Sequence, residues 1–133
     1  MRLTAEERKI MSDLELERAE RIMKEEVPVQ MQAHLWNLLA NRLYYAVFHA
    51  VSALLIRNQI EVASHKGLHM MFHEKFVRTG QFSETDREVL TRLETLRHQG
   101  DYNCFLETTE EQITPYIVKA QDFINKIRLA LDK

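Results

Sequence analysis

The sequence is poor in the residues that staple or break a chain. It holds one cysteine, two prolines and three glycines among 133 residues. The single thiol, Cys104, excludes an internal disulfide, and no basic-then-apolar leader follows Met1, so the chain reads as a reduced, cytoplasmic protein. So little proline and glycine excludes a linker or a low-complexity tract, and no internal repeat is visible. One domain spanning residues 1–133 is the expectation. An excess of basic charge is also missing: the net charge is −2 and the pI about 6.3. That argues against a generally basic nucleic-acid binder and leaves room only for a local patch. Long apolar runs are absent too. Leu43–Ile56 is the greasiest stretch, shorter than the roughly 20 residues a bilayer requires and interrupted by His49 and Ser52, so no membrane association is expected. No segment of useful length alternates with period 2, which excludes a sheet.

What is present is helical periodicity with start and stop signals. Thr4 and Glu7 make a capping box that opens a first helix, with Ile10, Met11, Leu14 and Ile22 as a loose apolar stripe. Pro28 lacks an N–H to give, so a kink is expected there and the turn into the next helix near His34–Trp36. Asn37 reads as the N-cap of a central helix running to Asn58, apolar on nearly all sides. Ser64 caps a third helix with Leu68, Met71, Phe72, Phe76 and Thr79 on its buried side, and Gly80 stops it. Ser83 and Asp86 open a fourth, whose stripe is Val89, Leu90, Leu93 and Leu96, continued by Arg97; Gly100 permits close approach of another backbone. Thr109 and Gln112 box the start of a fifth helix that keeps its period from Ile113 to Leu131. The fold class is all-α, an up-and-down bundle of about five helices.

Four groups of polar residues stand out. Arg42, Tyr45 and His49 fall at i, i+3 and i+7 on one face of the central helix, while Tyr44, Phe48, Val51 and Leu55 mark another. His65, His69 and His73 stand at i, i+4 and i+8. Neighbouring members of such a series can chelate zinc, but all three cannot, since the outer two lie roughly 12 Å apart along a helix. Nothing at a ligand spacing completes a site, so no metal or other cofactor is expected, and the three read as an exposed polar face opposite Leu68, Phe72 and Phe76. Ser64, His65 and Lys66 sit at a helix N-terminus, where free N–H groups favour an anion, or form a plain cap with solvated neighbours. Tyr45, His49, Ser64, His65 and Lys66 meet only if the start of the third helix packs beside the middle of the central one. Last come Arg97, His98, Asp101, Tyr102 and Asn103. An arginine on an apolar stripe needs a partner, and Asp101 at i+4 is the local one. Arg97 is therefore either half of a structural ion pair or a phosphate ligand facing a groove.

Three blocks in order, NRLYYAVFHAVSALL, SHKGLHMMFHEKFVRTG and LRHQGDYN, resemble the HEPN superfamily of small helical domains associated with nucleotides or RNA. The branch most resembled is the short stand-alone bacterial, UPF0332-like one, often encoded beside a minimal nucleotidyltransferase. The likeness runs from about Leu16 to Ile127. It implies a bundle that is commonly a homodimer, with the ends of the fourth helices facing each other across a cleft. It also implies, for many members, a toxin with metal-independent endoribonuclease activity, built from an arginine, a short polar spacer and a histidine. Arg97 matches that arginine and His98 opens the spacer, but Tyr102 stands where the histidine is often placed. A phenol, with an ordinary pKa of about 10, is ill suited to proton exchange near neutrality, where imidazole at about 6.5 is apt. Tyr102 retains the ability to orient a hydroxyl or stack on a base. The expectation is an RNA- or nucleotide-associated toxin-like module with a nucleotidyltransferase partner. The alternatives are an active endoribonuclease using Arg97 with Tyr102 or His98, and a structural bundle in which Arg97 is sealed beneath side chains.

Overall fold

The computed structural model describes residues 2–103 and 105–132; Met1 and Cys104, on which the expectations of a missing leader and a lone thiol rest, lie outside them. Seven α-helical segments form five rods: α1 (Ala5–Arg21) running on into α2 (Val27–Gln32), α3 (Trp36–Arg57), α4 (His65–Phe72), α5 (Glu84–Tyr102), and α6 (Glu110–Ile113) leading into α7 (Pro115–Leu131). Among the described residues there is no strand. α3 is the hub: α1, α5 and α7 all pack along it. Its Leu39, Leu43, Tyr44, Val47, Val51 and Leu54 are buried in the single apolar core. At 22 residues α3 has the length and apolarity of a membrane span, more than the run Leu43–Ile56 suggested, but most of that surface is covered by the bundle.

Cap chemistry sets the starts. Glu7 N donates to Thr4 Oγ1 at 3.1 Å while Thr4 N donates to Glu7 Oε1 at 2.8 Å. The same reciprocal pair recurs at Ser83/Asp86 and Thr109/Gln112, and Ser64 Oγ accepts from Gly67 N at 3.0 Å. Each satisfies N–H groups that a helix start leaves orphaned. Pro28 is absorbed without a break. Residues Ile22–Glu26 widen into a π-type turn in which Val27 N bonds back to Ile22 O, ahead of the proline ring. The turn into α3 falls at His34, in the left-handed region at φ 58°. Gly80, at φ 85°, closes the extension of α4. Pro115 divides the last rod, which periodicity alone joined, at Thr114.

Several expectations are corrected. Ile10, Met11 and Leu14 are exposed, and α1 instead buries Ser12 and Ala19, with Ile22 and Met23 following. Small residues win because they let α1 approach α3 closely. Ala46, Ala50 and Ala53 form a stripe on α3 at i, i+4 and i+7, and Ser12 Oγ donates to Ala53 O at 2.7 Å. Thr79 is exposed, its hydroxyl turned back to Lys75 O. Asn37 is not the cap of α3, which starts one residue earlier behind Leu35 with no side-chain cap. Asn37 Oδ1 accepts instead from Thr108 N at 2.8 Å. The missing side chain of Gly100 makes room for this amide rather than for a backbone: a Cβ there would come within 3.1 Å of Asn37 Oδ1. Asn37→Ala removes the partner of an N–H on a buried residue. It should cost about 1–3 kcal/mol in urea unfolding, while Leu38→Ala on the exposed neighbour should cost under about 0.5 kcal/mol.

Candidate functional site

Packing of α4 against the middle of α3 brings together residues more than twenty positions apart. Tyr44 is the pivot. Its ring is fully buried, and its hydroxyl lies 3.0 Å from His65 Nδ1, 3.2 Å from His69 Nε2 and 3.5 Å from Glu94 Oε2. Glu94 Oε2 is also 2.6 Å from His69 Nε2. One buried cluster thus ties α3, α4 and α5. Burial, with the Glu94 charge adding to it, pushes the Tyr44 phenol well above its usual range. Burial likewise holds His69 below the ordinary imidazole range, against the opposing pull of Glu94. His65 stacks on Phe48 at 4.5 Å between ring centroids and meets Tyr45 edge-on at 5.9 Å. His65 and His69 are therefore turned inward, not set on the exposed polar face expected of them. His73 alone faces outward, 3.5 Å from Glu84. Among the described residues no three His, Cys, Asp or Glu side chains converge as a metal site.

Arg97 lies across the Tyr44 ring from the side of α5. Its guanidinium carbon is 5.1 Å from the Tyr44 centroid, 5.7 Å from Tyr45 and 5.8 Å from Tyr102. The residue is only 7% exposed, so it does not itself line a groove. Its expected partner Asp101 holds it in a long ion pair, Oδ2 standing 3.8 Å from Arg97 Nη1, while the same oxygen accepts from Asn41 Nδ2 at 2.9 Å. Arg97 Nε is buried without a hydrogen bond. The guanidinium is caged by three tyrosine faces, with Asp101 as a distant ion-pair partner. Cation–π contact offsets part of the desolvation of such a charge, not all of it.

Beside this cage runs an open groove of about 680 Å³ along α5, lined by His69 and Glu94 at one end and by His98, Tyr102 and Asn103 at the other. His98 and Tyr102 lie ring to ring at 4.8 Å. Tyr102 (70% exposed) and Phe105 (91%) stand out from this end of α5, with Leu106 beside them.

The remaining candidates are engaged with the rod of α1 and α2. Arg42 Nε is 3.1 Å from Glu26 Oε1 and its guanidinium carbon 5.8 Å from the Tyr45 ring. His49 Nδ1 is 2.7 Å from Glu15 Oε2, and that hydrogen bond holds the Glu15 carboxyl below the usual range despite partial burial. Ser64 spends its hydroxyl on the cap of α4, and Lys66 is exposed. Sequence reasoning missed Glu94 and the role of Tyr44. Glu94 sits three residues before Arg97, between the core positions Leu93 and Leu96. A carboxylate beside a core stripe was the available signal.

The described residues thus form a helical bundle with a caged arginine beside an open groove. Residues 12–130 match the HEPN domain, and the chain belongs to that family. It is 34% identical over 92 residues to a UPF0332 protein of Thermotoga maritima, covering 69% of this chain and 70% of the relative. A protein of Methanocaldococcus jannaschii named "Putative toxin" is 34% identical over 90 residues, covering 68% of this chain and 66% of its own length. A second protein of that organism with the same style of name is 26% identical over 130 residues, 96% and 88% of the two chains.

The buried cluster has a pH signature. Because the folded state holds His69 below its ordinary pKa, the unfolded chain takes the proton first as pH falls. The stability from this group is thus present above about 6.5 and is lost below it. The melting temperature should drop between pH 7.5 and 5.5. That drop should shrink in His69→Gln, read by thermal circular dichroism in both buffers.

Proposed function

We propose that this chain is a toxin-like HEPN module that engages the phosphate of RNA or a nucleotide at the end of α5. In this reading it works as a homodimer and is neutralised by a nucleotidyltransferase partner. The observation that carries it is Arg97, a permanently charged guanidinium nine-tenths buried, with an orphaned Nε and no anion closer than 3.8 Å. A cation whose carboxylate partner stands as far off as 3.8 Å gains more from an incoming phosphate than one in a close ion pair, since its desolvation is already borne by the fold. Tyr102 lies over it at the exposed end of the helix and would have to swing aside or stack on the ligand as the phosphate enters. The exposed Tyr102, Phe105 and Leu106 support a second copy docking at this end. The toxin names of the two M. jannaschii relatives support the biological setting.

Arg97→Ala should weaken binding of a short single-stranded RNA, measured by fluorescence anisotropy at low salt, by about 10- to 100-fold. That matches the loss of a charge-assisted hydrogen bond of about 1.5–3 kcal/mol. Arg97→Lys should recover only part of it, since lysine lacks the planar fork. Equal affinity for the wild type and Arg97→Ala, with only the melting temperature lowered, would instead make Arg97 a purely structural residue. Co-expression with a minimal nucleotidyltransferase should yield a complex on size exclusion.

A further inference from the structure

We propose that the cleft between α1, the second half of α3 and the connection at residues 58–64 binds a small apolar monocarboxylate, its head group on Arg8 and its body along α3. The cleft shares no lining residue with the groove along α5, and the proposal does not depend on Arg97. Its volume is about 960 Å³, against about 680 Å³ for that groove, and lies within the range of small-molecule sites.

The walls follow from how the helices meet. Ser12 reaches Ala53 and Glu15 reaches His49, so α1 and α3 run antiparallel here. Arg8, Met11 and Glu15 fall at i, i+3 and i+7 on α1, and Phe48, Ser52 and Leu55 at i, i+4 and i+7 on α3; all six line the cleft. Arg8 is therefore set toward the end of α3 and Glu15 toward its middle, roughly 10 Å apart along α1. Gln59, in the left-handed region at φ 63°, reverses the chain after α3, and Ile60 N bonds back to Leu55 O at 2.9 Å. The residues from there to Ser64 complete the enclosure.

The chemistry of the lining selects the ligand. Leu55 and Leu68 are buried, Phe48 and Ile56 half-buried, and Met11 is 42% exposed, which makes an apolar surface open to a guest. Arg8 Nη1 donates to Leu3 O at 2.7 Å. That bond steadies the side chain and leaves further N–H groups of the fork to give. Arg42, Arg57 and Arg128 reach Glu26, Asp13 and Glu20, but neither Arg8 nor Arg2, on the same cleft, forms an ion pair among the described residues. Glu15 is engaged with His49 at the other end, where its charge disfavours a second acidic group on the guest. Ser52, the residue that interrupts the apolar run of α3, lines the middle, and its hydroxyl has no hydrogen bond among the described residues. An empty packing defect is typically enclosed and apolar. This space is open and sets a steadied guanidinium beside apolar walls, which suits one carboxylate carrying a medium-length acyl or aryl body.

The test titrates the full chain with decanoate below its micellar concentration, by calorimetry and by aromatic NMR. Binding should saturate at one ligand per chain. Ring signals of Phe48 and His65 in the cleft should shift, and those of His98 and Tyr102 in the other groove should stay in place. Arg8→Gln should weaken decanoate about 10-fold or more, the loss of one charge-assisted contact. Lys24→Gln makes the same change of charge at an exposed residue outside the cleft and should leave affinity within about twofold. Met11→Trp, which narrows the cleft from an exposed position, should weaken binding as well. Decanol and inorganic phosphate should each bind at least about 10-fold more weakly than decanoate. Equal affinity of Arg8→Gln and wild type would overturn the proposal, as would decanol bound as tightly as decanoate, since the head group would then go unrecognised. Shifts confined to His98 and Tyr102, or no binding of either decanoate or indole-3-acetate, would overturn it too. Should Arg8→Gln not fold, the NMR map and the decanol comparison decide.

Discussion

A phenol with no exposed surface has to find partners for its hydroxyl inside the protein, and in this bundle Tyr44 finds them on two other helices. An unpaired hydroxyl at that depth would cost about 1–3 kcal/mol. The three groups that prevent this, His65, His69 and Glu94, come from α4 and α5. α4 is short and makes few other contacts with its neighbours beyond Leu68, Phe72 and the aromatic cluster around Phe76, Phe82 and Phe123. The Tyr44 hydroxyl therefore sets where the first turns of α4 lie. It also decides that two histidines face inward rather than toward water. The Arg97 cage depends on the same ring from the other helix.

α3 can play this part because its sides are specialised. The alanine stripe Ala46, Ala50 and Ala53 admits α1 at close range, where Ser12 bonds the backbone of Ala53. The leucines and valines fill the core. Tyr44, Tyr45 and Phe48 present aromatic surface to α4 and α5, while Arg42 and His49 are tied to Glu26 and Glu15 across the first rod. Carboxylate contacts at Arg42 and His49, on either side of Tyr44 and Tyr45, thus tie the middle of the helix to the first rod while the tyrosines carry the polar cluster. Helix boundaries in α3 matter less to function than this distribution of faces.

That contrast explains what the sequence disclosed. Helix starts were legible because their chemistry is local: Thr4 with Glu7, Ser83 with Asp86 and Thr109 with Gln112 all act within four residues. The stripes of α5 and α7 were legible for the same reason. The buried side of α1 was not, since large apolar residues at Ile10, Met11 and Leu14 outweigh Ser12 and Ala19 in any reading by hydrophobicity. Close helix approach selects the small ones. Asn37 looked like a cap because asparagine commonly is one, yet its amide is spent 71 residues away on Thr108. At the site, Arg97 was found from its place on an apolar stripe. His65 and His69 were noticed for their spacing and assigned to solvent. Only the separations of 21, 25 and 50 residues bridged by Tyr44 reveal what they do, and no periodicity encodes those.

The placement of charged groups around Tyr44 follows from the same geometry. A histidine placed beside Arg97 would be pushed toward its neutral form by the permanent charge. With Tyr102 at that position, the cation is screened by aromatic faces and the imidazole stands elsewhere, on the α4 side of Tyr44 and in contact with Glu94. Glu94 offsets part of the burial that disfavours the imidazolium without cancelling it, so His69 still lies below the ordinary imidazole range. Arg97 has only the long pair with Asp101 as counter-charge. One tyrosine ring thus lies between a guanidinium and an imidazole–carboxylate pair. With Tyr102 in place of the pattern's histidine, the arginine and the inward-turned histidines sit on α5 and α4 instead of along a single turn.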